Sequence, residues 1–145
     1  MSNFFKQSGD MKRSKEEKLS LLSDLIDLVR SDHAVNEKEY RFIRTVARHL
    51  QVREQDLNEL FTRKRPRFVA PRTESERILQ FQRLLLLMNI GHSHSLKEEI
   101  ALKDATLRMG LNPIAVERVL SVMDDYPDRI VPPKVMINIF KTFYN

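Results

Sequence analysis

Apolar residues in this chain recur at the spacing of helices, and no stretch shows the sustained alternation of a strand. From about Lys15 to Arg30, Leu22, Leu25, Ile26 and Val29 fall at i, i+3, i+4 and i+7, which gives a helix one apolar face and leaves the other to water. The same stripe returns at Ile43, Val46, Ala47 and Leu50, and Leu57, Leu60 and Phe61 mark a shorter helix after a break at 51–53. A basic connector, punctuated by Pro66 and Pro71, follows over residues 63–72. Then comes the most apolar segment, Ile78 to Ile90, whose run Leu84, Leu85, Leu86, Leu87 and Met88 covers more than a full turn. A helix apolar on nearly every side must be wrapped by others. Its uninterrupted apolar run falls far short of the roughly twenty residues that cross a bilayer. Val116, Val119, Leu120 and Met123 line a later helix, and Met136, Ile139, Phe140 and Phe143 line a last one beginning near Pro133. Residues 1–14 carry no periodic face and read as a flexible arm ahead of one domain, 15–145.

Helix boundaries are written in the polar residues. Asn36 with Glu39, Thr73 with Glu76 and Ser95 with Glu98 each have capping-box spacing, in which the first side chain accepts from the backbone of the first turn and the second reaches back. Gly91 and Gly110 stand where helices should stop, and Asn112 followed by Pro113 is a cap and a first-turn proline.

Adding 59 to positions in the first half lands on counterparts in the second without a gap. Leu22, Leu25, Ile26 and Val29 become Phe81, Leu84, Leu85 and Met88; Ile43, Val46 and Leu50 become Leu102, Ala105 and Met109; Leu57, Leu60 and Phe61 become Val116, Val119 and Leu120. The caps follow, Asn36 to Ser95 and Glu39 to Glu98. Core faces and helix starts recurring in one register imply a duplicated unit. The expected fold is all-α: an orthogonal bundle of about seven helices, built from repeat one (15–64) and repeat two (73–124) around a buried central helix, with a C-terminal helix over 133–145 outside the repeat.

Composition narrows the function more than the fold. The chain has 145 residues, enough for folding to remove about 70% of its accessible surface from water. It has no cysteine, which excludes disulfides, thiolate metal sites and cysteine nucleophiles. No signal-peptide-like apolar run opens it, so a cytoplasmic location is expected. The net charge of +5 is compatible with an acidic partner or an anionic membrane surface, so peripheral membrane association stays open.

Residues 32–39 read Asp-His-Ala-Val-Asn-Glu-Lys-Glu. With the helical repeat over about Leu19 to Met123, this resembles the TerB-like family, named for a bacterial tellurite-resistance protein and also met at the N-terminus of membrane-anchored J-domain co-chaperones. Asp32, Val35 and Glu39 match the family's pattern; His33 replaces its usual glycine, and Gly91 stands where a second acidic residue would. The resemblance implies an orthogonal helical bundle, a link to stress responses, acidic residues suggested to hold a metal ion, and no catalytic activity.

Three functional readings follow. One is a protein-interaction module, binding a partner or a second copy, with Met136, Phe140 and Phe143 on the C-terminal helix as contact residues. Another is a divalent metal site of Asp32, Glu39 and His33, joined from the second loop by His92, because carboxylate and imidazole suit ions such as zinc or nickel. Against it, Glu39 is already explained as a cap and Asp32 as a loop residue. In the last, Arg63, Lys64, Arg65, Arg67 and Arg72 contact phosphates with Phe61 or Phe68 stacking, although a solvated connector explains the same residues and nucleic acid is an unlikely partner. Catalysis is not expected: the chain has only 3 glycines and no phosphate-cradling loop, and no serine or histidine stands in a nucleophile setting.

Overall fold

The computed structural model describes residues 2–62, 65–91 and 95–143, with side chains from residue 15 onward. Among them are seven α-helices and no strand: α1 (Ser2–Arg30), α2 (Glu37–His49), α3 (Glu54–Thr62), α4 (Glu74–Ile90), α5 (Leu96–Met109), α6 (Pro113–Val122) and α7 (Pro133–Thr142). Two short 3-10 turns, Met123–Asp125 and Pro127–Arg129, lie between α6 and α7.

The duplication is structural. Moved by 59, α2 and α3 begin where α5 and α6 begin, at residues 96 and 113. Matched apolar positions are buried alike, with Leu22 and Phe81, Leu25 and Leu84, and Ile43 and Leu102 all at 0% exposure. The two units face each other through their first helices. Gln80, the counterpart of Leu21, is fully buried and donates from Nε2 to the Leu21 carbonyl at 3.0 Å. Counterparts that touch each other lie on the axis relating the units, so α1 and α4 cross there. Around the crossing, α5 packs on α1 and α2 packs on α4, each unit's second helix leaning on the other unit's first.

The central helix buries Gln80, Phe81, Leu84, Leu85, Leu87 and Met88, so Leu85 and Met88 are covered as expected. Ile78, Leu86 and Ile90 are half-buried, and Leu79 is 45% exposed. The caps also form: Asn36 Oδ1 accepts from the Glu39 amide at 2.9 Å, Thr73 Oγ1 from the Glu76 amide at 3.1 Å, and Ser95 Oγ from the Glu98 amide at 3.1 Å.

Gly91 ends α4 as expected, in a right-handed conformation, φ −72°. Two expectations are corrected. The arm expected over residues 1–14 is, from Ser2 on, the first part of α1; no proline interrupts it, and adding turns to a helix nucleated by its packed portion is far easier than starting one. The C-terminal helix does not stand outside the repeat. It begins at Pro133, 59 residues after Glu74, so α1, α4 and α7 occupy corresponding places and α7 is the opening of a third unit. Its Phe140 corresponds to Phe81, and the two rings meet edge to face, 6.0 Å apart at 84°. Applying the offset a second time would have found this.

The second helix of each unit stops the same way. Gln51 and Gly110, counterparts, both adopt the left-handed conformation, φ 60° and 84°. The amides of Val52 and Leu111 then donate back to the carbonyls of Ala47 and Thr106, at 2.9 and 3.1 Å. Only glycine takes that conformation without crowding its own Cβ, so unit one carries strain that unit two lacks. Gln51→Gly is expected to stabilise the chain by about 0.5–1 kcal/mol and Gly110→Ala to destabilise it by about 1–2 kcal/mol, read by urea denaturation. A Cβ at Gly110 would lie 3.5 Å from Arg77 Nη1, an ordinary contact, so the predicted loss is backbone strain alone.

Candidate functional site

The loop between α1 and α2 is held at both ends. The amides of Asp32 and His33 donate to the Val29 carbonyl, each at 3.2 Å, and Asn36 opens α2 as its cap. Glu39 closes the capping box by accepting from the Asn36 amide at Oε1, 3.0 Å. Its carboxylate is wholly buried, an arrangement that needs partners to offset the loss of water. His33 is the second partner: Nε2 sits 3.2 and 3.1 Å from the two Glu39 oxygens. On the far side of the ring, Nδ1 faces Asp32 Oδ2 at 3.5 Å.

The second unit brings its own carboxylate. Glu98, the counterpart of Glu39, is also fully buried, and its charge acts on His33. Burial opposes protonation of His33; hydrogen bonding and charge from Glu39, with help from Asp32 and Glu98, outweigh it and raise the imidazole above its ordinary range. Two buried carboxylates from matched places thus act on one imidazole. Asp32, His33 and Glu39 come together as the sequence suggested, and His92 lies outside the described residues. Glu98 had been read as a helix cap alone, although the offset of 59 that pairs it with Glu39 also brings it to this centre.

Tested against a metal ion, the geometry fits in part. His33 Nε2 and Glu39 are spaced as two ligands of one ion would be, whereas Asp32 stands behind the ring, where it orients the imidazole. Among the described residues no group of three or more His, Asp or Glu is placed to hold a metal.

The other sequence candidates are placed differently. Met136 and Phe140 are 1% and 2% exposed and dock α7 on the chain's own core. Their apolar surface finds its partners on α4 and α6. Phe143 is half-buried, and its carbonyl accepts from Asn112 Nδ2 at 2.7 Å. In the connector, Arg65 pairs with Asp27 at 3.0 Å, and the Val69 amide donates to Ser20 Oγ at 3.0 Å. Arg30 lies over the Phe61 ring and Arg108 over Phe68, at 5.4 and 5.2 Å, so both aromatic faces proposed for base stacking already carry a guanidinium. Arg63 and Lys64 lie outside the described residues. Asp24, which the sequence did not single out, is 6% exposed beside Arg108; burial pushes its carboxyl up to about 6.

Among the described residues no helix is long and apolar enough to cross a membrane. Residues 2–62, which hold α1, α2 and α3, match the family model described as Tellurite resistance protein TerB. No curated protein and no solved structure matches the chain. The resemblance read from the first loop is therefore supported over the first unit, and the second unit repeats that unit's helices.

Because its folded pKa is raised, His33 contributes stability that is fully present below the ordinary value of 6.5 and is lost as pH rises through the folded value. His33→Gln is expected to melt below the parent at pH 5.5, with the gap narrowing at pH values well above 7. A gap that stays constant from pH 5.5 to 9 would show that His33 carries no such charge.

Proposed function

We propose that this chain, TerB-like over residues 2–62, is a non-enzymatic helical module of a bacterial stress response that acts by binding another protein. The observation that carries the reading is the groove between α4 and α7, a cavity of about 360 Å³ whose walls are almost wholly apolar. Met136 and Phe140 form its floor, and Ile78, Leu79 and Ile137 its sides. Leu79 and Ile137 stand 45% and 42% exposed. A concave apolar site with a few polar groups at its edge, here Glu74 and Lys141, suits an apolar side chain offered by a partner. The stress-response context is supported by the description of the matching family, tellurite resistance.

Leu79→Glu and Ile137→Glu place charge on exposed positions of this groove and should leave thermal melting nearly unchanged. Each is expected to reduce capture of the partner in cross-linked pull-downs from the source cell by about tenfold or more, which corresponds to roughly 1.4 kcal/mol. Equal capture by parent and variants would refute the reading.

A second reading has its own observation, the buried Glu39 carboxylate held against His33 Nε2, with the charge of the buried Glu98 acting on the same ring. There, Glu39 and His33 Nε2 would hold a divalent ion with Glu98 nearby and Asp32 fixing the ring; the ion would supply a charge that ties the two units together. Calorimetric titration with zinc near neutral pH is expected to give stoichiometric binding that Glu39→Gln abolishes; no heat from the parent chain would discard this reading.

A further inference from the structure

The duplicated fold allows the same surface to be compared in two chemistries. On α5, Leu96, Ile100, Lys103 and Leu107 follow i, i+4, i+7 and i+11 and form one narrow stripe along the helix. Leu96, Ile100 and Leu107 are 71%, 51% and 63% exposed. Their counterparts on α2 are Glu37, Arg41, Arg44 and Arg48, exposed or half-buried at the same four places. The backbone thus presents one outward stripe twice, charged in unit one and aliphatic in unit two. Folding does not require aliphatic side chains there, because unit one does without them. A single exposed aliphatic side chain is ordinary; three in register on one helix, at places that are charged in the matched helix, are not.

The flanks of the α5 stripe have a sign. Glu99 and, from α6, Glu117 lie on one side, paired with Lys103 Nζ at 3.6 and 2.7 Å, and exposed Asp104 lies on the other. Three carboxylates against one ammonium leave this patch at −2 within a chain of net charge +5. Lys97 stands at the N-terminal end, and at the other end Arg108 is drawn away toward Asp24 and Phe68. Beside Leu107 a groove of about 130 Å³ runs to Pro113 and Val116 on α6, with room for an apolar side chain.

We propose that this stripe docks an amphipathic helix of another protein, one with aliphatic residues along its contact line and Lys or Arg on its flanks. The proposal goes beyond the groove between α4 and α7, since it uses a different surface and names the chemistry of the occupant. Charge argues against a second copy of this chain. Antiparallel pairing of α5 with itself sets Leu96 against Leu107 but puts the two Glu99 carboxylates on one flank and the two Asp104 carboxylates on the other, and parallel pairing sets Lys103 against Lys103. Three aliphatic side chains a side also fall short of the about 800 Å² per partner that stable interfaces bury. An anionic bilayer would meet the same carboxylates.

The test uses the full chain, a variant given unit one's residues or their like (Leu96→Glu, Ile100→Arg and Leu107→Arg together), and Ile137→Glu. The probes are two synthetic helical peptides with one leucine stripe, flanked by Lys in one and by Glu in the other, and phosphatidylserine vesicles. By fluorescence anisotropy the Lys-flanked peptide is expected to bind the parent about tenfold or more tightly than the Glu-flanked one, to lose about tenfold or more on the triple variant, and to bind Ile137→Glu as it binds the parent. Equal binding of the two peptides overturns the proposal, as does binding unchanged in the triple variant. So does self-association or vesicle binding that the triple variant abolishes. Loss in Ile137→Glu alone moves the contact to the α4–α7 groove, overturning this inference while leaving the protein-binding reading intact. Should the triple variant lose its helical circular dichroism, Leu107→Gln alone, at an exposed position, replaces it with the same expectations.

Discussion

The rest of the structure depends on the crossing of α1 and α4 at Leu21 and Gln80. An amide side chain buried at 0% exposure is tolerable only with its hydrogen bonds made, and here Gln80 donates to a backbone carbonyl while its own oxygen accepts from Arg83 Nη1 at 3.2 Å. That polar contact sits amid Leu22, Leu25, Phe81 and Leu84, all fully buried. Apolar burial supplies most of the stability, while the directional contact fixes which residues of the two helices meet. Once α1 and α4 are set, α2 and α5 have only the remaining apolar faces to cover.

The polar centre at the start of α2 is a by-product of capping that acquires further chemistry. A helix start needs an acceptor for its free amides, and Asn36 and Ser95 supply it. The glutamate three residues on is then drawn into the interior, fully buried in both units, and His33 offsets the charge of the first. The same residues that define where α2 begins thus hold an imidazole against a buried carboxylate.

Much of the fold was legible because its signals are local and repeated. The stripes at Leu22 to Val29 and Ile43 to Leu50 gave the helices, and Asn36, Thr73, Ser95 and Asn112 gave their starts. The start of α1 was misplaced because residues 2–14 carry no apolar periodicity, and a helix that propagates from its neighbour needs none. The role of Gln51 was hidden because a left-handed stop is advertised only when glycine fills it. At the candidate site, Asp32, His33 and Glu39 were found through their proximity in sequence, whereas Asp24 acquires its character only when Arg108 from another helix closes over it. For Met136 and Phe140 the sequence left open whether α7 docks on its own body or on a partner, because an apolar stripe shows that a helix is covered without showing by what.

Two identical subunits meeting on a two-fold axis must use every residue twice, so any change made for one side is imposed on the other. Here both halves lie in one chain, and that obligation is lifted. Leucine can face glutamine on the axis, glutamine can fill a turn that glycine fills across it, and an arginine-rich ridge on one half can answer to a leucine-rich ridge on the other. Covalent joining turns a symmetric scaffold into one whose halves can specialise, with the shared core holding the geometry constant while each exterior takes its own task.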